Sequence, residues 1–183
     1  MPINWEIFKN NLLTYFNQNV NSQDTGDKLN QVASKITDEY ELAVKNGGDL
    51  NYNNMVISYT KPGLQTNIEQ AFRQGFNSSN QEVVSQIFGN FFSLGLIQFW
   101  TGAQLVLLIP PPGAVTVISN VVTNPGTMIS ILSVQNTEND TEFIDNMIDF
   151  FKQHLQTLAG LTTALVPTPG GPVPTPVPWI GYC

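Results

Sequence analysis

Two rhythms divide this chain. Over the first hundred residues apolar side chains recur every three or four positions, and beyond them they gather in β-rich runs cut by Pro and Gly. Trp5, Phe8, Leu12 and Phe16 stand at helical spacing behind Asn4, an N-cap type, with Glu6 in the first turn to complement the helix dipole. The pattern predicts an amphipathic helix to about Asn19, after which a polar run to Asp27 breaks it. Leu29, Val32, Ala33, Ile36, Tyr40 and Val44 form a second stripe, with Lys28, Lys35, Asp38 and Glu41 turned to water. Gly47-Gly48 stops that helix, since glycine readily takes the left-handed conformation past a last turn. Met55–Tyr59 reads as a short strand with no partner in the neighbouring sequence. Pro62 suits the first turn of a third helix that carries Leu64, Ile68, Ala71, Phe72 and Phe76 inward.

Ser79-x-x-Glu82 then has the form of a capping box directly before an apolar run, and predicts the start of a central helix, Val83–Thr101. From Val83 to Thr137 there is no Asp, Glu, Lys or Arg. Apolar residues cover more than one stripe of this helix, so it should be buried on most sides. Gly89, Gly95 and Gly102 each cost about 1 kcal/mol in a helix interior, which points to close approach of another helix or a break near Gly102. From Leu105 to Gln135, β-rich runs separated by Pro112-Gly113 and Asn124-Pro125-Gly126 suit a small hairpin or an extended crossing segment. A last helix opens near Asn139 with Asp140, Glu142 and Asp145 in its first turns. It buries Phe143, Ile144, Met147, Phe151, Leu155 and Leu158, and frays into the segment from Gly160 to Leu165. The Pro-rich tail should be extended, with polyproline II character, excluded from helix and from central strand.

The expected fold is therefore mainly α: about five helices around a buried central helix, a small β or extended element, and a Pro-rich C-terminal arm. Residues 1–166 form one mostly helical domain and residues 167–183 the arm. Trp179, Ile180 and Tyr182, at its end, are apolar anchors suited to a partner's groove.

Composition sharpens this picture. Only 11% of residues are charged, against about 25% in ordinary soluble domains. Such a surface suits coverage by other subunits, and equally suits life in salty water. A net charge of -7, with no Lys or Arg between Gln74 and Phe151, argues against nucleic acid as a partner. One cysteine, Cys183, rules out an internal disulfide framework and a zinc cage. The N-terminus lacks the basic and apolar segments of a signal peptide.

Candidate chemistry is sparse. Glu142 paired with Asp145 or Asp149 has the residue types of an acid/base hydrolase, but acidic residues at a helix start are more simply matched to its dipole. His154 is the only histidine and lies toward a helix end where a cation is mildly favoured. No phosphate loop, calcium loop, metal set or catalytic triad is present, so neither catalytic residues nor a cofactor is expected. The apolar span 87–109 has the length of a membrane helix, which keeps a holin-like or pore-forming protein as the alternative. Asn90, Ser93, Gln98, Thr101 and Gln104 interrupt it and no basic residue flanks it, so membrane insertion is the less favoured reading.

Three islands resemble a family of virion structural proteins from large T4-like marine and cyanobacterial tailed phages. They are the stretch from Tyr40 to Asp49 (YELAVKNGGD), the stretch from Phe99 to Ala103 (FWTGA), and Pro111-Pro-Gly-Ala114 followed by Asn120-Val-Val-Thr-Asn-Pro-Gly126. The chain departs from that pattern by running on into a helix and the Pro-rich tail. The resemblance implies a non-enzymatic head, neck or tail component without cofactor. Its partners would be other virion subunits, in a homo-oligomer or a hetero-assembly, and its location the virion, assembled in the host cytoplasm.

Overall fold

A computed structural model of the chain describes residues 3–19, 25–47, 55–106, 115–121, 126, 129 and 140–180. Among these the fold is mainly helical, with five helices and one small antiparallel sheet. Helices α1 (Trp5–Asn19), α2 (Thr25–Asn46), α3 (Lys61–Gly75), α4 (Gln81–Trp100) and α5 (Asp140–Thr157) alternate with strands β1 (Met55–Ser58), β2 (Gln104–Val106), β3 (Val115–Asn120), β4 (Ala159–Val166) and β5 (Val173–Ile180). The strands lie in sequence order across the sheet, each antiparallel to the next.

The helices form where periodicity places them, and their ends have local causes. Asn4 caps α1 by accepting the Ile7 amide at 3.3 Å, satisfying one of the orphan N–H groups of a first turn. Helix α3 begins with Pro62 in its first turn. Helix α4 begins one residue later than a Ser79 cap would place it. Asn80 is the N-cap, and its side-chain oxygen accepts the amides of Glu82 at 2.9 Å and Val83 at 3.4 Å. The Ser79–Glu82 capping box does not form, because Asn80 is an equally strong cap one position closer to the apolar run. At the other end, Gly102 takes φ +74, the left-handed region, and turns the chain into β2.

Helix α4 is central. Phe92, Leu96, Phe99 and Trp100 are fully buried. Phe92 stacks on Phe151 of α5, and Phe99 meets Tyr40 of α2 edge to face at 5.3 Å. Gly95 brings α3 close, since a Cβ there would lie 2.9 Å from a Leu64 methyl and 3.2 Å from Asn67 Cβ. Burial is one-sided rather than general, however: Val83 and Leu94 are exposed and Ile87, Phe91 and Ile97 half-buried. Phe76, expected inward, is 71% exposed, because α3 has ended at Gly75 before the chain reaches it.

The sheet covers the helices with one face. Val56, Leu105, Ile118 and Gly160 are buried and share that face by register. The partner of β1 is β2, some fifty residues on, with Met55 opposite Val106. The expected hairpin after Leu105 is present as β2 paired with β3, Gln104 opposite Val117. Apart from Val121, Gly126 and Ile129, the rest of the stretch to Gln135 lies outside the described residues; Gly126 and Ile129 have helical backbone, not the extended one expected there.

The segment from Gly160 to Leu165 is strand, not a fraying helix end. Leu158 is buried, and Thr162, Thr163 and Val166 contribute β-branched residues that suit a pleated surface. The tail is extended as expected, and it returns as β5 along the whole of β4, from Ala159 opposite Ile180 to Val166 opposite Val173. The 166/167 boundary therefore falls at the end of β4, just before the turn of this hairpin. Pro174, Pro176 and Pro178 alternate along β5. In a strand, successive N–H groups point to opposite edges, so Val173, Thr175, Val177 and Trp179 supply the donors toward β4. The missing prolyl N–H groups all belong to the outer edge, the one place in a sheet that tolerates them.

Candidate functional site

The residues singled out for chemistry do not converge. On α5, Asp145 is bound by Lys9 of α1 at 2.6 Å and Asp149 is paired with Lys152 at 3.6 Å. Both lie on the helix surface as ion-pair partners. His154 is buried on α5, which also carries the core residues Phe151 and Leu155. Among the described residues no group of three or more His, Cys, Asp or Glu is placed to hold a metal ion. A depression of about 30 Å³ between α1 and α2, lined by Asn4, Ile7, Phe8, Glu39, Leu42, Ala43 and Asn46, has room for about one water and no organic substrate.

Span 87–109 is not a single helix. Helix α4 stops at Trp100 and the chain continues as β2, because Thr101 and Gly102 break the hydrogen-bond ladder. One helix among the described residues, Gln81–Trp100, is long and apolar enough to cross a membrane, and half of that window is buried within the fold.

The motif islands fare differently: two of them meet. Trp100 Nε1 donates a 2.8 Å hydrogen bond to the Tyr40 hydroxyl, with both rings fully buried. The pair links the C-terminal turn of α4 to α2 and satisfies a buried N–H that would otherwise be left unpaired. Immediately after Tyr40, Glu41 gathers the start of α3 and the end of β1. It accepts Lys45 at 2.8 Å, Lys61 at 2.6 Å and the Tyr59 hydroxyl in a short contact. Lys61 also pairs with Asp38 at 2.5 Å, and the Lys45 ammonium lies 5.3 Å from the Tyr59 ring centre. Partial burial pushes the Glu41 carboxyl up, but the hydrogen bonds from Lys45, Lys61 and Tyr59 outweigh it and hold it at about 2. Hydrogen bonds to Glu41 and Tyr59 raise the Lys45 ammonium, and those to Asp38 and Glu41 raise Lys61.

Sequence reasoning turned Glu41 to water; it is half-buried and the hub of a clamp. Only its i,i+4 relation to Lys45 was visible along the chain. Glu39 is a second such case. It is buried, holding Lys35 at 2.5 Å and Asn11 of α1 at 2.7 Å. Both carboxylates join elements.

The proposed anchors lie in β5. Trp179 is opposite Gly160 and Ile180 opposite Ala159 in register. Tyr182 lies outside the described residues. No protein family model, curated protein or solved structure matches this chain. Its own chemistry must therefore carry any functional conclusion, and the least ordinary chemistry is that of the sheet. Every charged residue among the described ones lies on a helix, and the five strands contain none.

Proposed function

We propose that this chain is a non-enzymatic structural subunit of a tailed-phage virion, a head, neck or tail component working through contacts with other virion proteins. The observation that carries the reading is the buried Tyr40–Trp100 hydrogen bond. It joins two of the islands that resemble the virion family, which lie far apart in sequence. Tyr40 and Glu41 of the first island tie α2 to α3, α4 and β1, while Trp100, Gly102 and Ala103 of the second end α4 and start β2. Roles of this kind belong to a scaffold. On α5, Asp145 and Asp149 serve as ion-pair partners of Lys9 and Lys152. The proposed location is the virion, after assembly in the host cytoplasm. Mass spectrometry of washed, density-banded particles from the phage encoding this chain tests the reading. The expected result is a stoichiometric band, and absence of the protein from intact particles overturns it.

A membrane-active protein is the second reading, favoured by the length and composition of α4 alone. To insert, the helix would have to withdraw Phe92, Leu96, Phe99 and Trp100 from the core. Incubation with dye-loaded liposomes should give no release; release at low protein concentration would put this reading first.

A further inference from the structure

We infer that the outer face of the sheet is a self-association surface on which a second copy of this chain packs face to face. The inference deepens the assembly reading, on which its biological purpose rests, but the contact itself follows from the sheet.

With Val56, Leu105, Ile118 and Gly160 turned to the helices, the alternate residues face away from them. One row across that outer face runs Gln104, Val117, Leu161 in direct register. Val117 is 40% exposed and Leu161 50% exposed, and exposed Pro174 and Pro176 lie farther along the same face. Half-buried Val106 adjoins them on β2. This is a largely apolar surface, polar at Gln104 and without one charged residue, on a chain of net charge -7.

The charge distribution selects the occupant. Two copies meeting through their helices would bring like-charged surfaces together. Two copies meeting through their sheets lie about 10 Å apart at the interface, with each helical layer roughly another 10 Å behind. The strands bring no carboxylate to that interface, since every described carboxylate lies on a helix. The sheet face is thus the side by which this acidic chain can approach itself without repulsion. Side-by-side strand addition is closed off at β5, whose outer edge lacks the N–H groups of Pro174, Pro176 and Pro178. At the opposite edge β1 is four residues long and irregular between Val56 and Ser58. Association is therefore by face and not by edge.

Its strength follows from size. Five strands about 4.8 Å apart, with residues rising about 3.3 Å, give a footprint of roughly 400–500 Å² per copy, about half of a standard interface. A single contact is weak and concentration-dependent. Repetition in an assembly, where a second contact becomes intramolecular, makes such a contact effective.

Sedimentation velocity of the full chain over a concentration series tests the inference. The wild type should show a rising average sedimentation coefficient that high salt does not reverse. Val117→Lys with Leu161→Lys should raise the dissociation constant at least about tenfold. Val117→Thr with Leu161→Thr, which keeps strand propensity, should raise it as well, with an unchanged circular dichroism spectrum. Ile7→Lys with Leu42→Lys, on the exposed apolar pair of α1 and α2, should leave it unchanged. A wild type that stays monomeric at the highest concentration overturns the inference. So does association that survives in both folded sheet variants, or that only the helix variant abolishes. Association through the sheet by a protein missing from phage particles would leave this inference standing and overturn the virion reading.

Discussion

The helical layer and the sheet of this protein solve opposite problems. The helices hold all the charge among the described residues and spend much of it on joining elements: Lys9 to Asp145, Lys35 to Glu39, Lys61 to Asp38 and Glu41. The sheet holds none and is joined by backbone ladders alone, one face on the core and the other open. A surface helix can remain soluble by charge, whereas an uncharged sheet must guard its edges by other means. Here the guard is a row of alternating prolines. Low overall charge is thus an average over two surfaces, one charged in the ordinary way and one uncharged.

The largest expected effect breaks the layer that both regions share. Phe92→Ala should cost about 3–5 kcal/mol in denaturant unfolding, because the ring is fully buried and touches Phe88 and Phe151. Phe91→Ala, at a half-buried position of the same helix, should cost less. Equal losses would show that α4 is buried all round.

Next, Tyr40→Phe should cost about 1–3 kcal/mol, since it leaves the buried Trp100 N–H without an acceptor. A loss below about 0.5 kcal/mol would mean that water or another group takes the place of the hydroxyl.

Glu41→Gln tests the charged clamp and should cost roughly 1–2 kcal/mol near neutral pH. Glu41 is held at about 2, below its ordinary 4.5. A lowered carboxylate stabilises fully above its unfolded value and loses that contribution as pH falls through the folded one. Wild-type stability should therefore drop between about pH 4.5 and 2 more steeply than that of Glu41→Gln. Parallel curves would show that the clamp contributes nothing.

Asn80→Ala should lose about 1 kcal/mol with its two amide hydrogen bonds, while Ser79→Ala should change the melting temperature little. The reverse ranking would restore the Ser79 capping box.

The smallest effect on stability belongs to the sheet. Replacing Pro174, Pro176 and Pro178 together by Val should shift unfolding by no more than about 1 kcal/mol and yet increase light scattering, because the outer edge regains its donors. Unchanged scattering would mean that the prolines do not protect that edge.

The legible parts of the fold were those whose cause is local. The stripes of α1, α2, α3 and α5 record which side meets the core, and Asn4, Pro62 and Gly102 mark ends through their own backbone preferences. Where two local signals competed within one residue of each other, at Ser79 and Asn80, the sequence could not rank them. Phe76 fitted the helical stripe of α3 by spacing, but the helix had already ended. The sites behaved alike. The clamp at Glu41 joins residues of α2 and α3 with Tyr59 between β1 and α3, and of these only Lys45, at i,i+4, stands at a spacing that sequence alone reveals.

By itself the sequence determined a mainly helical body, an uncharged middle and an extended Pro-rich end, because these follow from periodicity, charge and the covalent geometry of proline. Only the tertiary structure decided that Met55 pairs with Val106, that the segment from Ala159 pairs with β3, and that the Pro-rich end returns along β4. Strand pairing is a contract between distant segments. Each strand carries half of the hydrogen bonds, and nothing in one half names the other until the helices have packed and presented the face on which both can lie.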